Sequence, residues 1–311
     1  MSNISRFSLA ILAVAACHFA TPASAQDARE HAQTYVERVA LATGPDDALA
    51  RWDGEICVGA VGLAPEQAQA LVDRVSVRAR AVGLRPGASG CRANVMVIYA
   101  PDSDVVTREI VDRRRDLLGY HADDANVTAG REAMEDFANV PRPIRWWHVS
   151  STGAGSLRPD AEHRMRQAAG RTAAVAAATR GIGPGDMGSP SDLQGVDAVR
   201  TNGSRTRSET VRNDLSYALI VVDARRVAEV PADAWMDYVA LAALAQLDPN
   251  ADTSGYSTIL NLFRGEQASR PAGLTAWDLA YLDALYRAPS QQSSRQISSI
   301  ARRIAERAPG Q

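Results

Sequence analysis

Residues able to do chemistry are scattered in this chain. Beyond residue 25 the histidines are His31, His121, His148 and His163, and none has a second His or a Glu at ligand spacing on a shared helix face. Catalytic zinc needs three protein ligands, so a metal centre would require distant residues to converge. No G-x-S-x-G elbow is present, which removes the usual signature of a serine hydrolase. The 34 basic residues are all Arg, and a chain without Lys has no lysine Schiff base or lysine general base. Gly181-Ile182-Gly183-Pro184-Gly185 lacks a preceding strand and a following GK[ST], so it does not read as a phosphate loop. Carboxylates offer more. Asp214, Asp223, Asp237 and Asp248 surround an apolar stretch, where burial would raise a carboxyl pKa. Capping is the plainer role for Asp233, Asp237 and Asp278, each near a helix start. Asp123-Asp124 read as solvated. Trp146-Trp147-His148 concentrate aromatic character in a chain with 5% aromatics; the two indoles are expected as one core and one rim side chain, or as a platform for a ligand.

The elements that would position these groups follow from periodicity. Apolar spacing over 28–50 predicts a helix (Ala32, Tyr35, Val36, Val39) leading into Trp52. Residues 55–61 read as a strand. Pro65 opens a helix to about Val82, where Gly83 stops it. Residues 93–99 form a second strand, so a strand–helix–strand unit with parallel strands is expected. Helices are expected over 103–118 and 130–138, with Arg113-Arg114-Arg115 as a solvated face, and a strand over 144–150. Residues 151–195 are rich in Gly, Ser, Ala and Pro; they read as a flexible insertion with a helix at about 160–179. A hairpin turning at Asn202-Gly203 precedes a strand at 215–222. Residues 232–247 are nearly free of charge after Asp237, which predicts a deeply buried helix. Helices at 276–286 and 295–307 close the chain, the last with Ile297, Ile300 and Ile304 on one side.

The N-terminus reads as an export signal. Arg6, the apolar run Phe7–Ala16 and Ala23-Ser24-Ala25 predict cleavage after Ala25, leaving 286 of the 311 residues in the periplasm or outside the cell. Cys17, after Val14-Ala15-Ala16, is the alternative, as the lipidated residue of an anchored protein. Cys57 and Cys91 then form the remaining pair. A disulfide is expected in an oxidising compartment, and closing a loop of 34 residues is worth about 3.8 kcal/mol in the chain-entropy model. A net charge of −2 argues against nucleic acid as a partner, since phosphates call for a basic surface. No later segment offers the roughly 20 apolar residues of a membrane span.

Gly273-Leu274-Thr275-x-x-Asp278-x-x-x-Leu282-x-x-Leu285-Tyr286, preceded by Asp237–Leu247 and Ser257–Phe263, resembles the closing part of zincin-type metalloproteases. It is especially similar to a family of exported bacterial proteins of unknown function with a zincin-like fold. The resemblance implies an α/β (α+β) fold over residues 26–288: a mixed, twisted sheet with the strand–helix–strand at its start, a buried zincin-type helix, a single layer of helices on the sheet, and a tail helix within 289–311. It implies a metal helix at 232–247, but that segment has neither His nor Glu. Asp237, Tyr238 and Leu241 stand at or near the ligand positions. The expectation is therefore an exported, non-catalytic protein without metal or cofactor that binds a protein, peptide or envelope component in the former substrate cleft, with Trp146, Trp147 and His148 as candidate contacts. The alternatives are a hydrolase built on Asp237, Tyr238 and His148, and a structural envelope protein.

Overall fold

The computed structural model describes residues 22–41, 48–119, 130–153, 212–288 and 293–307. The signal segment up to residue 21, Cys17, His121, Asp123-Asp124, His163, the 160–179 helix, the Gly181–Gly185 run and the Asn202-Gly203 turn lie outside them. Seven α-helices and six strands occur among the described residues: α1 (Pro22–Val39), β1 (Glu55–Ile56), β2 (Val58–Val61), α2 (Pro65–Ala81), β3 (Arg85–Pro86), β4 (Val95–Ala100), α3 (Ser103–Arg113), α4 (Gly130–Asn139), β5 (Ile144–Gly153), β6 (Arg212–Asp223), α5 (Ala232–Leu244), α6 (Ala276–Arg287) and α7 (Ser293–Arg307).

The main sheet has the order β2-β4-β6-β5, with β2, β4 and β6 parallel and β5 antiparallel to β6. The strand–helix–strand unit is present as β2-α2-β4. Pro65 occupies the first turn of α2, where its missing N–H costs nothing, and Gly83 follows the helix at φ +87°, a conformation glycine adopts without penalty. The 55–61 strand is broken at Cys57: β1 pairs with β3, β2 with β4. At the break the Asn94 side chain accepts from Cys57 N–H at 2.8 Å, and Cys57 C=O accepts from both Asn94 and Val95. The Cys57–Cys91 disulfide, with Cα atoms 5.9 Å apart, lies beside it. The 28–50 helix ends early, at Val39. Ala40 bridges to Leu247 where the helix stops, residues 48–50 are non-helical, and Arg51 bridges to Asp214.

Helices cover both faces of the sheet, which corrects the expected single layer. Alternate residues of each strand serve different cores, as the two-residue period requires. Val97 and Ile220 join Leu71 and Val75 of α2 and the apolar residues of α5 from Ala234 to Leu244 in one core. Met96, Ile98, Leu219 and Val221 join Ile110 of α3 with Met134 and Phe137 of α4 in the other. A 3₁₀ turn, Arg115–Leu118, extends α3 on that second face. α5 shows no amphipathic stripe because it meets protein on every side, with every residue from Ala234 to Leu244 buried. α7 belongs to the first core: Ile300 and Ile304 are fully buried, and the Gln296 side chain accepts from Leu49 N–H.

Candidate functional site

Asp237 lies on α5 with only 2% of its surface exposed. Its carboxylate accepts a two-point bond from Arg78 of α2 (Nε at 3.1 Å, Nη2 at 2.9 Å), lies 3.5 Å from Arg74, and accepts from Leu274 N–H at 3.2 Å. A Cβ on Gly273 would stand 2.7 Å from Asp237 Oδ2, so glycine lets the 273–275 segment reach this carboxylate. Tyr238, the next residue, packs its ring against Trp146 and Phe263, and burial raises its phenol above the ordinary value. Leu241 is buried in the same helix.

These residues do not fit a zinc centre. Asp237 is the sole carboxylate among the three, and its oxygens are engaged by two guanidiniums and an amide. Tyr238 is held in aromatic packing, and Leu241 has no lone pair. Three ligands and an open position are the minimum for catalytic zinc.

Trp146 and Trp147 point to opposite faces of β5, as neighbours in a strand must. Both are core side chains, 6% and 4% exposed, which corrects the expected rim position for one of them. Trp146 donates its indole N–H to Leu247 C=O at 3.0 Å, and Trp147 donates to Leu118 C=O at 2.9 Å. His148 is also buried, with Nε2 2.7 Å from Ala242 C=O. Burial lowers its pKa to about 4, against the opposing effect of that carbonyl, so it is neutral at pH 7 and donates to Ala242. Asp237, Tyr238 and His148 do not meet: the first faces α2 and the 273–275 segment, the second Trp146 and Phe263, the third the C-terminal half of α5.

The densest polar centre lies elsewhere and escaped the sequence reading. Asp102-Ser103-Asp104 follow β4 and Asp223 ends β6, so parallel strands deliver both groups to one carboxyl edge, the usual place for function in open α/β sheets. That position was the signal available in the sequence. Carboxylate oxygens of Asp102, Asp104 and Asp223 lie within 4.8 Å of one another. Three guanidiniums answer them: Arg225 on Asp102 at 3.0 Å, Arg226 on Asp104 at 2.8 Å and on Asp223 at 2.9 Å, and buried Arg145 on Asp104. Arg226 with Arg145 holds Asp104 below the usual carboxylate range. Burial works to raise Asp223, but donation from Ser103 N–H, Arg226 N–H and the Ser103 hydroxyl outweighs it and lowers the pKa. The Ser103 hydroxyl, fully buried, accepts from Arg145 at 2.6 Å and donates to Asp223 at 3.0 Å. Depressed carboxyls are poor bases, and Ser103 has no path to a substrate. Charge balance leaves no surplus for a cation. The centre joins the start of α3, the end of β6 and β5.

A further buried carboxylate lies in the first turn of α6. Asp278 completes a capping box with Thr275 and accepts from Thr258 Oγ1 at 2.6 Å and from Ile259 N–H at 2.8 Å. Tyr35 of α1 extends the chain through Thr258 at 3.1 Å. Burial raises the Asp278 pKa despite these donors. The capping role read from the sequence is seen here.

The described architecture is that of a mixed α/β protein with a disulfide, and no described helix is long and apolar enough to cross a membrane. No family model matches the chain, and neither a curated protein nor a solved structure does.

Proposed function

We propose that this is an exported, non-catalytic binding protein on a zincin-like scaffold whose metal site has been replaced by internal packing. The observation that carries the reading is the state of Asp237. The one carboxylate at the former metal positions is engaged by Arg78, Arg74 and Leu274 N–H, with no solvent-facing acceptor for a substrate or water. The residues beside it, Tyr238 and Leu241, contribute packing. The disulfide and the export signal in the sequence support a site of action outside the cytoplasm. The partner is a protein, peptide or envelope component.

Elemental analysis and thermal melting of the mature protein test the reading. It should purify without stoichiometric zinc, and chelator should leave its melting temperature unchanged. About one zinc per chain, with chelation lowering the melting temperature, would overturn it, since structural or catalytic zinc contributes to folding.

A further inference from the structure

A cleft of about 400 Å³ lies between α3 and α4 on the second face of the sheet, within the size range of small-molecule sites. Its two walls are single helix faces. Positions 108, 111, 112 and 115 come from α3 and the turn after it, and 131, 134, 135 and 138 from α4, both spaced i, i+3, i+4, i+7. Val111, Met134 and Ala138 give an apolar floor, buried in the core beneath. Arg108, Arg115 and Arg131 stand exposed around it.

Arg115 Nε donates to Val111 C=O at 2.8 Å. Arg108 and Arg131 have no ion-pair or hydrogen-bond partner among the described residues, although Asp112 and Glu135 follow them by four positions. The order is the weaker one: in a helix an acid four residues before the base pairs better than the reverse. Glu109–Arg113 and Asp283–Arg287 have the good order and close at 3.1 and 2.7 Å; Arg302–Glu306 has the reverse order and stands at 3.9 Å. Among the described residues, Arg108 and Arg131 thus stand at the rim without a partner, and Arg115, bonded through Nε alone, has none for its two Nη atoms. Thr107 Oγ1, near the start of α3, donates to Ala138 C=O near the end of α4 at 3.2 Å. The helices thus run antiparallel, and Arg115 lies towards the same end as Arg131, with Arg108 at the opposite end.

We infer that this cleft binds an amphipathic monocarboxylate, the carboxylate docking between Arg115 and Arg131 and the apolar body lying on Val111, Met134 and Ala138. Asp112 and Glu135 between the arginine ends repel a second negative charge, so a polyanion is disfavoured. The same chemistry belongs to a free acyl amino acid and to the C-terminus of a peptide. The inference rests on the binding-protein reading and supplies its ligand class.

Calorimetric titration of the full mature chain tests it with N-acetyl-leucine and with the tripeptide acetyl-Ala-Ala-Leu, each beside its neutral methyl ester, and with inorganic phosphate. One or both acids should bind, at least about tenfold more tightly than the corresponding ester, because a charge-assisted bond is lost in the ester. Phosphate should bind less well than the acids. R131Q, which should leave the melting temperature unchanged, and R115Q, which loses one bond to Val111 C=O and should lower it only slightly, should each weaken acid binding by about tenfold. Tighter binding of the tripeptide identifies a peptide terminus as the source; tighter binding of N-acetyl-leucine identifies a free acid. Absence of binding of both acids at about 1 mM, equal binding of acid and ester, phosphate binding as tightly as the acids, or unchanged binding in both variants would overturn the inference. Zinc in a chain that still binds the acids would sink the scaffold reading and leave the cleft; a zinc-free chain that ignores them would sink the cleft alone.

Discussion

Replacing Asp237 by Asn separates a structural carboxylate from a functional one. The substitution keeps the shape and leaves an amide oxygen for Leu274 N–H, so what is lost is the charge facing Arg78 and Arg74. Breaking a fully buried ion pair costs about 3–5 kcal/mol. Here the two arginine side chains retain 24% and 28% exposure and regain some hydration when the carboxylate is gone, which reduces the expected loss to about 2–3 kcal/mol. At about 2–4 °C per kcal/mol for a chain of this size, the melting temperature should fall by about 5–10 °C. Denaturant unfolding monitored by tryptophan fluorescence gives the free energy directly, with D237A expected to lose roughly 1 kcal/mol more because Leu274 N–H then has no acceptor. Residues kept for chemistry commonly cost stability, and their neutral replacements often raise it. If D237N unfolded at the same denaturant concentration as the natural chain, or at a higher one, the clamp would not be structural. The hydrolase alternative would then regain its best residue.

Three further outcomes follow from the geometry. Serine at both Cys57 and Cys91 should lower stability by about 4 kcal/mol for a 34-residue separation, and thiol labelling of the native oxidised protein should find neither cysteine reactive. His148 has a folded pKa of about 4 against an ordinary 6.5, so the unfolded chain binds the proton more tightly; stability should fall as pH drops from 6.5 to 4, by up to about 3 kcal/mol, and H148Q should flatten that limb of the pH profile. Arg145, whose side chain is fully buried, should cost about 3 kcal/mol when replaced by Met, because Asp104 keeps Arg226 while Ser103 Oγ and Val140 C=O lose their donor; a smaller loss in R145M than in R226M, measured by denaturant unfolding, would refute the ranking by burial.

How far the sequence could be read depended on whether a signal was local. The strand–helix–strand, its Gly83 stop and the buried helix expected over 232–247 are written in period and punctuation over a dozen residues each; all three are present, the helix ending at Leu244. The disulfide follows from the same unit, since two parallel strands bring their starts together. The second helical layer was hidden because the strands are apolar at nearly every position: Val95 through Ile98 are buried on both faces, and a continuous apolar run carries no information about what covers each side. Trp146 and Trp147 suffered likewise. Alternation sends them to opposite faces, but only the presence of helices on both makes each of them core. The cluster of Asp102, Asp104, Asp223, Arg145 and Arg226 was illegible as a cluster because its members span about 120 residues and are joined only by sheet order, β4 beside β6 beside β5. The arginine-lined cleft was obscured for a different reason. Arg113-Arg114-Arg115 looks like one charged run, whereas helical rotation sends Arg113 to Glu109 on the surface and Arg115 to the cleft. Charge in sequence had to be resolved into direction in space before its possible use became visible.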